Sequence, residues 1–271
     1  MTVARRAAVL GSPIAHSLSP VLHRAAYDAL GLDGWCYDAH ECGEADLPAF
    51  VEGLGPEWAG LSLTMPLKRV ALRVADEVSP LAAATGAANT LVFRPEGRYA
   101  DNTDVAGIVA TLQGATGRAL VLGAGGTAQA ALAALRELGI ADITVAVRSA
   151  ARTGELVEAA QRLGVQPVIV PVLADTPPVL PPAEVVVCTL PGGAADGLGE
   201  QIRPDATVLD VVYAPWPTRL AATAAARGAR VVSGLEMLLH QAVAQVELMT
   251  GRPGPVDAMR AALDAAVAAR A

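Results

Sequence analysis

The sequence predicts an α/β protein of two domains, the second of which is built on a mostly parallel, doubly wound sheet. The length of 271 residues is enough for two domains that each bury a hydrophobic core. From Arg118 onward, short apolar runs alternate with helical patterns, which is typical of parallel strands joined by helices. A glycine-rich stretch at 123–128 separates the first run from the first helix. We expect domains over 1–102 and 103–240, with the C-terminal helices of 241–271 packing back on the first domain.

Composition excludes several classes of protein. Hydrophobic residues make up 53% of the chain, but no uninterrupted apolar run reaches the roughly 18 residues that a transmembrane helix needs. The apolar run after Arg5 and Arg6 is too short for a signal peptide. A net charge of −7 without a basic stripe argues against nucleic acid. The three cysteines lack metal-ligand spacing, so we expect reduced thiols, no metal, no membrane or nucleic-acid partner, and a cytoplasmic location.

The glycine-rich stretch matches a turn that binds dinucleotides. Gly123, Gly125 and Ala128 fit the pattern G-x-G-x-x-G/A, in which glycines let the backbone turn tightly and approach a pyrophosphate. The N–H groups at the start of the following helix then stabilise its negative charge. A plain tight turn between a strand and a helix is the alternative. A second apolar run at 143–147 has the spacing of the next strand in such a unit, and it favours the dinucleotide interpretation.

The end of this second strand indicates which dinucleotide is bound. Units that bind NAD usually place an Asp or Glu there to hold the ribose 2′-hydroxyl. Here the strand is followed by Arg148, with Arg152 one helical turn later, and neither position offers a carboxylate. The forked donors of arginine suit a 2′-phosphate, so the sequence favours NADP over NAD. The alternative is that both arginines are ordinary solvated charges at the start of a helix.

Two serines near the N-terminus predict an anion site. Ser19 followed by Pro20 is typical of a helix start, with a capping hydroxyl and a proline in the first turn. Ser17 and Ser19 would present hydroxyls beside the positive end of that helix, which favours a carboxylate ligand. Plain capping explains Ser19 but gives Ser17 no role.

A lysine is a candidate for acid–base chemistry. Pro66 predicts the start of another helix and places Lys68 in its first turn, where the helix dipole disfavours a cation. A lysine held against the dipole is a candidate for proton transfer. The alternative is a solvated surface charge, which is the more common state of a lone lysine.

Three further polar features lie in unusual places. Asn89 falls inside a predicted strand at 87–93, where asparagine is uncommon. The acids and asparagine of 101–104 precede an apolar helix, and capping explains only one of them. Gln241 is polar on an otherwise apolar helix face, either as a satisfied core amide or as a substrate ligand.

Two loops in the second domain follow predicted strands. Thr189 and Tyr213 come directly after the apolar runs at 184–188 and 207–212. Ligands bind at the carboxyl ends of strands in such sheets, so both loops are candidates for the site. The prolines of 175–182 predict an extended connection between elements.

Six ordered motifs resemble those of the shikimate dehydrogenase family, over essentially the whole chain. The motifs are the serine stretch at 11–20, the lysine stretch at 64–68, the pair Asn89-Thr90, the group Asn102-Thr103-Asp104 with Gly107, the glycine turn at 123–128, and Gly234 with Met237-Leu238 and Gln241-Ala242. Six motifs in one order are far more specific than a glycine turn alone. The resemblance implies two lobes with the active site in the cleft between them.

The resemblance also implies a role for each matched residue. It implies that Ser17, Ser19, Thr64 and Tyr213 hold the shikimate carboxylate and that Asn89, Asp104 and Gln241 bind the ring hydroxyls. Lys68 and Asp104 would form the catalytic pair, and both would contact the substrate. The implied NADP contacts are Gly123, Ala124, Gly125, Gly126, Arg148, Ser149, Arg152, Thr189, Gly234 and Met237. The implied reaction is the reversible reduction of 3-dehydroshikimate to shikimate by NADPH, in the biosynthesis of chorismate and aromatic amino acids.

Two alternatives stay open at this point. A quinate/shikimate dehydrogenase that uses NAD would share the fold, but an acidic end to the second strand would favour it, and Arg148 does not. A non-catalytic ligand-sensing module on the same fold predicts a damaged catalytic pair, whereas Lys68 and Asp104 are both present. Ser62 departs from the family pattern, which often has asparagine at this position. The expected partner is a small-molecule substrate, and a homodimer is left open.

Overall fold

The computed structural model describes residues 5–171 and 179–270, and the chain divides into two compact units. The first unit combines Met1–Thr103 with Leu238–Ala271, and the second unit is Asp104–Met237. The chain therefore leaves the first unit once and returns to it within one long helix. Within the proline-rich connection predicted at 175–182, residues 175–178 lie outside the described residues.

The first unit contains a mixed sheet of six strands. Its strands are β1 (Arg5–Gly11), β2 (Trp35–Glu41), β3 (Trp58–Leu63), β4 (Glu77–Val78), β5 (Thr90–Arg94) and β6 (Gly97–Asp101), in the spatial order β2-β1-β3-β5-β6-β4. Strand β1 runs parallel to β2 and β3, whereas β5 runs antiparallel to β3 and β6. All residues of β3 are buried, which is typical of a strand that is covered on both faces. The first four helices are α1 (Ser19–Ala29), α2 (Leu47–Glu52), α3 (Val70–Val74) and α4 (Pro80–Thr85).

The second unit contains a sheet of six parallel strands. Its strands are β7 (Ala119–Leu122), β8 (Ile143–Val147), β9 (Val168–Pro171), β10 (Val185–Cys188), β11 (Thr207–Asp210) and β12 (Arg230–Ser233), in the order β12-β11-β10-β7-β8-β9. Every neighbouring pair is parallel. Counted from β7, this is the strand order of a doubly wound dinucleotide-binding sheet, and it reverses between β7 and β10. The helices of this unit are α5 (Asp104–Thr111), α6 (Gly126–Glu137), α7 (Gly154–Leu163) and α8 (Arg219–Ala226).

Two C-terminal helices complete the first unit. Helix α9 (Gly234–Thr250) contributes its residues from Leu238 onward, and α10 (Val256–Ala268) packs against α1. Glycine at position 60 in β3 allows α9 to approach the sheet closely. A Cβ atom there would lie 2.7 Å from the Leu91 carbonyl oxygen and 2.8 Å from the Met249 Cγ atom. The close contact lets Met249, near the end of α9, pack directly against β3.

The predicted α/β class is confirmed, and the apolar runs predicted as strands in the second half form a parallel sheet. Strands β7 and β10 are each four apolar, buried residues long, as expected of central strands in a parallel sheet. Among the helices within 5–171 and 179–270, none combines the length and apolarity that a membrane span requires.

Candidate active site

The glycine turn lies between β7 and α6, where the strand order of the second sheet reverses. Gly123 has a φ of +112°, which favours glycine, and a Cβ atom there would lie 2.5 Å from the Thr189 Oγ1 atom. Gly125 is the N-cap of α6, and an added Cβ atom would meet nothing within 4 Å. Gly125 is exposed, and Ala124 and Gly126 have intermediate burial. The turn therefore leaves space beside the first N–H groups of α6, which suits a pyrophosphate.

Thr189 directly follows β10 and is held against this turn. Its backbone N–H and its hydroxyl both donate to the Leu122 carbonyl oxygen, at 2.9 and 2.8 Å. Leu122 is the last residue of β7. These two bonds tie together the carboxyl ends of β7 and β10, so Thr189 supports the turn as well as facing it.

The arginines that favour NADP lie past the end of β8, the strand next to β7. Arg148 and Arg152 are both exposed, and Ser149 lies between them with intermediate burial. A single 3₁₀ turn over Ala150–Arg152 follows, and the Arg152 backbone N–H donates to the Ser149 carbonyl at 3.2 Å. The residues expected to bind the 2′-phosphate are therefore adjacent to each other and open to solvent.

Packing at the junction of β12 and α9 explains why position 234, one of the predicted cofactor contacts, is a glycine. A Cβ atom at Gly234 would overlap the Val211 carbonyl oxygen, so only glycine fits there without a shift of the backbone. Met237, in the first turn of α9, is buried. Gly234 thus has a structural reason to be glycine, whether or not it contacts a cofactor.

Asp210, which the sequence pattern does not single out, anchors the segment that carries Tyr213. Asp210 ends β11 and is 1% exposed; its carboxylate accepts from the Thr218 hydroxyl at 2.6 Å and from the Val212 N–H at 3.2 Å. Burial raises the pKa of this carboxyl above its ordinary value. The chain from Val212 to Thr218 is thereby closed into a loop, within which Tyr213 has intermediate burial. The sequence signal that could have pointed to Asp210 is an acidic residue at the end of a short apolar run.

The two N-terminal serines are arranged differently from the prediction. Helix α1 begins at Ser19, its N-cap is Leu18, and no side chain caps it, so the assignment of Ser19 as the capping residue is wrong. Instead, the Ser17 Oγ atom accepts from the Ser19 backbone N–H at 3.3 Å. Ser19 is buried, and its hydroxyl hydrogen-bonds Tyr37. Ser17 therefore satisfies the helix start, and Ser19 takes part in the buried core of the unit.

Lys68 also lies outside the helix that was predicted for it. The chain forms turns over 65–69 and α3 begins at Val70, so Pro66 does not start a helix, and the dipole argument for Lys68 is wrong. Lys68 has intermediate burial, and its carbonyl oxygen accepts from the Ala88 N–H at 2.8 Å. This bond fixes the lysine turn beside the segment that leads to Asn89. Upstream, the Thr64 N–H donates to the Leu10 carbonyl at 2.9 Å, which holds the start of the turn against the end of β1.

Asn89 lies just before β5 rather than inside a strand, which corrects the prediction. Its Oδ1 atom accepts from the Thr103 N–H at 2.8 Å, the Thr103 hydroxyl at 3.0 Å and the Thr90 hydroxyl at 2.8 Å. Its Nδ2 atom lies 3.4 Å from the Gln241 Oε1 atom. Asn89 and Gln241 are 2% and 7% exposed, so two amides meet in a nearly closed part of the first unit.

Asp104 is the first residue of α5 and is 5% exposed. A carboxylate at a helix N-terminus is stabilised by the N–H groups and the dipole of the helix. The unit boundary falls between Thr103 and Asp104, so Lys68 belongs to the first unit and Asp104 opens the second. The chain places the two proposed catalytic groups on elements of different units. Among the described residues, no group of three or more His, Cys, Asp or Glu side chains could hold a metal ion.

Three family models together match most of the chain. A model of the shikimate dehydrogenase substrate binding domain matches residues 9–91, a model of shikimate / quinate 5-dehydrogenase matches 107–192, and a model of the shikimate 5'-dehydrogenase C-terminal domain matches 234–263. A shikimate dehydrogenase (NADP(+)) of Methylobacterium radiotolerans is 40% identical over 94% of this chain and 95% of that protein. The chain belongs to the shikimate dehydrogenase family. Another member, from Cereibacter sphaeroides, is 41% identical over 96% of this chain and 97% of its own length.

Solved structures of the shikimate dehydrogenase family have the same fold. The enzyme of Mycobacterium tuberculosis is 50% identical with a TM-score of 0.88, and the alignment covers 97% of this chain and 99% of that one. The Thermus thermophilus enzyme, solved in complex with NADP(H) and shikimate, is 33% identical with a TM-score of 0.85 over 97% of this chain and 99% of that one. A 5-ketofructose reductase of Gluconobacter is 25% identical with a TM-score of 0.83 over 97% and 99%. The fold alone therefore does not define the substrate.

Each family model matches a different part of the predicted site. The substrate-binding-domain range contains Ser17, Ser19, Thr64, Lys68 and Asn89. The shikimate / quinate range contains the glycine turn, Arg148, Ser149, Arg152 and Thr189, and the C-terminal range contains Gly234, Met237 and Gln241. Asp104 and Tyr213 lie outside all three ranges. The assignment of Asp104 depends on the motif Asn102-Thr103-Asp104 with Gly107, and Tyr213 is assigned from its place after a predicted strand.

Proposed function

We propose that this chain is a shikimate dehydrogenase that reduces 3-dehydroshikimate to shikimate with NADPH, reversibly. The first unit binds the substrate and the second binds NADP. The observation that supports the proposal most is that one small region of the first unit brings the turn that carries Lys68 close to two side-chain amides. The Lys68 carbonyl bonds to Ala88, one residue from Asn89, and Asn89 lies beside Gln241. A turn that carries a lysine, next to two amides, suits a small polyhydroxylated acid.

The second unit fits NADP. The glycine turn leaves room for a pyrophosphate, which the first N–H groups of α6 would bind. Arg148, Ser149 and Arg152 would hold the 2′-phosphate, since no carboxylate ends β8. Thr189, Gly234 and Met237 would lie along the rest of the cofactor. When bound, NADPH supplies the hydride.

The first unit fits the substrate by charge and hydrogen-bonding capacity. Ser17, Ser19 and Thr64, together with Tyr213, would bind the carboxylate through their hydroxyl groups. Asn89, Gln241 and Asp104 would bind the ring hydroxyls, which both donate and accept hydrogen bonds. Ser19 is 6% exposed and already bonded to Tyr37, so of the two serines Ser17 is the more accessible to a ligand.

Proton transfer is assigned to Lys68 and Asp104. As a hydride reaches the C3 carbon of 3-dehydroshikimate, negative charge develops on the carbonyl oxygen. The Lys68 ammonium donates a proton to that oxygen, so that the carbonyl becomes an alcohol. Asp104 orients the ammonium and accepts a hydrogen bond from the neighbouring hydroxyl. Because the two groups act as a coupled pair, the proton belongs to the pair and not to one residue.

The expected setting is a reducing cytoplasm, which agrees with the free thiols of Cys36, Cys42 and Cys188. Burial raises the pKa of Cys188 to about 12, so this thiol stays protonated and unreactive at neutral pH.

Whether the working form is a homodimer is decided by sedimentation equilibrium, which separates one 27.5 kDa chain from two.

The proposed reaction is tested in the reductive direction. Purified protein is mixed with 3-dehydroshikimate and NADPH, and nicotinamide absorbance is followed while shikimate is measured by chromatography. We expect NADPH to be consumed and shikimate to form in equal amounts. NADPH consumption without shikimate, or no consumption by folded protein, would refute the proposed reaction.

A further inference from the structure

Gln245 lies at the centre of a buried polar network in the first unit. Its side chain is 1% exposed on α9, one helical turn after Gln241. The Nε2 atom donates to the Asn89 carbonyl at 3.1 Å and to the Thr90 hydroxyl at 3.0 Å. The Oε1 atom accepts from the Ser62 hydroxyl at 2.7 Å and lies 3.2 Å from the His23 Nε2 atom. One side chain thus joins β3, the start of β5, α1 and α9.

Backbone groups fix the orientation of both amides in this network. A carbonyl oxygen only accepts, so the atom of Gln245 that faces the Asn89 carbonyl must be the NH₂ group. A backbone N–H only donates, so the atom of Asn89 that faces the Thr103 N–H must be its oxygen. The Nδ2 group of Asn89 is then directed towards Gln241. The orientations of both amides are therefore determined by the backbone groups that they face.

Hydroxyl groups extend the network into a chain of hydrogen bonds in which each group donates to the next. The Thr90 hydroxyl accepts from Gln245 and donates to the Asn89 Oδ1 atom at 2.8 Å. On the other side, the Tyr37 hydroxyl donates to Ser62 at 2.6 Å, and Ser62 donates to Gln245. Tyr37 in turn hydrogen-bonds Ser19. The chain therefore runs from Ser19, near the proposed carboxylate site, to Asn89, near the proposed hydroxyl site.

His23 is the second side chain that hydrogen-bonds the Gln245 Oε1 atom. Its ring is fully buried and stacks on Tyr37, with ring centroids 4.0 Å apart. Because Gln245 presents an oxygen, the His23 Nε2 atom must donate, and the His23 Nδ1 atom has no hydrogen-bond partner within the described chain. The Asn89 carbonyl fixes the Gln245 amide, and both the Ser62 hydroxyl and His23 therefore donate to its oxygen.

We propose that Gln245 is a positioning residue for substrate binding: its bonds to the Asn89 carbonyl and the Thr90 hydroxyl hold Asn89 in place, while the Thr103 N–H fixes which way the Asn89 amide faces. The inference rests on the proposed function, in which Asn89 binds a ring hydroxyl. Gln245 itself touches no substrate. Its removal would leave the Asn89 carbonyl and the Thr90 hydroxyl each without one partner, so that Asn89 would be held less firmly in place.

The test is the kinetics of Gln245→Met, which keeps the length of the side chain but removes its hydrogen bonds. We expect the KM for shikimate to rise about tenfold, because a buried polar contact of this kind is lost, while the KM for NADP stays near the wild-type value. Thr250→Val is the matched control, since it removes a hydroxyl on the same helix that bonds to Val246 and Arg252 instead of the network. The control should leave both constants unchanged.

A purely structural role gives a different result. If Gln245 only stabilises the fold, Gln245→Met lowers the fraction of active protein and the apparent kcat, with both KM values unchanged, and that outcome would overturn the inference. If the wild type itself fails to oxidise shikimate, the proposed function fails instead. Should Gln245→Met not fold, Thr90→Val breaks the same chain at its middle hydroxyl, and the inference again requires a selective rise in the KM for shikimate.

Discussion

At the scale of single residues, the proposed chemistry assigns proton transfer to a lysine and an aspartate that lie in very different local structures. Lys68 lies in an irregular turn beside Ala88, whereas Asp104 is buried at the first position of a helix. The helix start stabilises the charge of the aspartate. The lysine owes its position to backbone bonds on either side of its turn, so its side chain can be changed without loss of the turn.

Lys68→Ala is therefore expected to affect catalysis rather than folding. Removal of the proton donor should lower kcat by about 10² to 10⁴, whereas the KM for shikimate should change far less. Steady-state kinetics of shikimate oxidation measure both. Arg73→Ala, which removes an exposed cation from α3, is the control and should behave like the wild type. A wild-type kcat in Lys68→Ala would exclude the assigned role.

We propose that Arg148 sets the preference for NADP over NAD. An exposed arginine next to a bound 2′-phosphate contributes a charge-assisted hydrogen bond, so Arg148→Ala should raise the KM for NADP about tenfold. The KM for NAD, which lacks that phosphate, should stay unchanged. Arg162→Ala removes another exposed arginine of the same unit and serves as the control. Equal changes for both cofactors would show that Arg148 does not read the phosphate.

At the scale of elements, the packing of α1, β2, β3 and α9 depends on a buried neutral histidine. Burial lowers the pKa of His23 from 6.5 to about 3, and its bond to Gln245 opposes this only in part. The folded state therefore favours the neutral ring. A depressed folded pKa contributes stability above pH 6.5, and this contribution is lost progressively as the pH falls from 6.5 towards 3.

His23→Gln should remove this part of the pH dependence while keeping an N–H donor for Gln245. Between pH 7 and pH 5, the wild type should lose more free energy of unfolding than the variant, by at most about 1.4 kcal/mol for each pH unit below 6.5. Urea unfolding at several pH values measures the difference. His16→Gln changes an exposed histidine of the same unit and should retain the wild-type slope. Parallel pH profiles for the wild type and His23→Gln would contradict the account.

Element boundaries were the least predictable part of the local structure. Ser19-Pro20 and Pro66 both follow the rules for helix starts, but only the first begins a helix. There the Ser19 side chain caps nothing, and its own backbone N–H donates to the Ser17 hydroxyl. In the second case, the lysine turn is held by Leu10 and Ala88, which are distant in sequence. Tertiary bonds of this kind override local preferences, and a pattern of neighbouring residues does not contain them.

At the scale of the whole molecule, the architecture was predictable because parallel strands leave a strong signal. Strands that are buried on both faces appear as short apolar runs, and the glycine turn marks the point where the strand order reverses. The Gln245 network was not predictable. Its contacts to Asn89 and Thr90 join residues 156 and 155 positions apart, and a lone glutamine on a helix gives no sign of its partners.

The most direct test of the account compares four reactions of the whole protein: oxidation of shikimate and of quinate, each with NADP and with NAD, followed by nicotinamide absorbance. We predict a strong preference for shikimate with NADP. Preferred turnover of quinate with NAD would keep the fold and the proton transfer by Lys68 and Asp104 but contradict the substrate and the role of Arg148. No turnover of any pair by folded protein would contradict the enzyme itself and favour a ligand-sensing module.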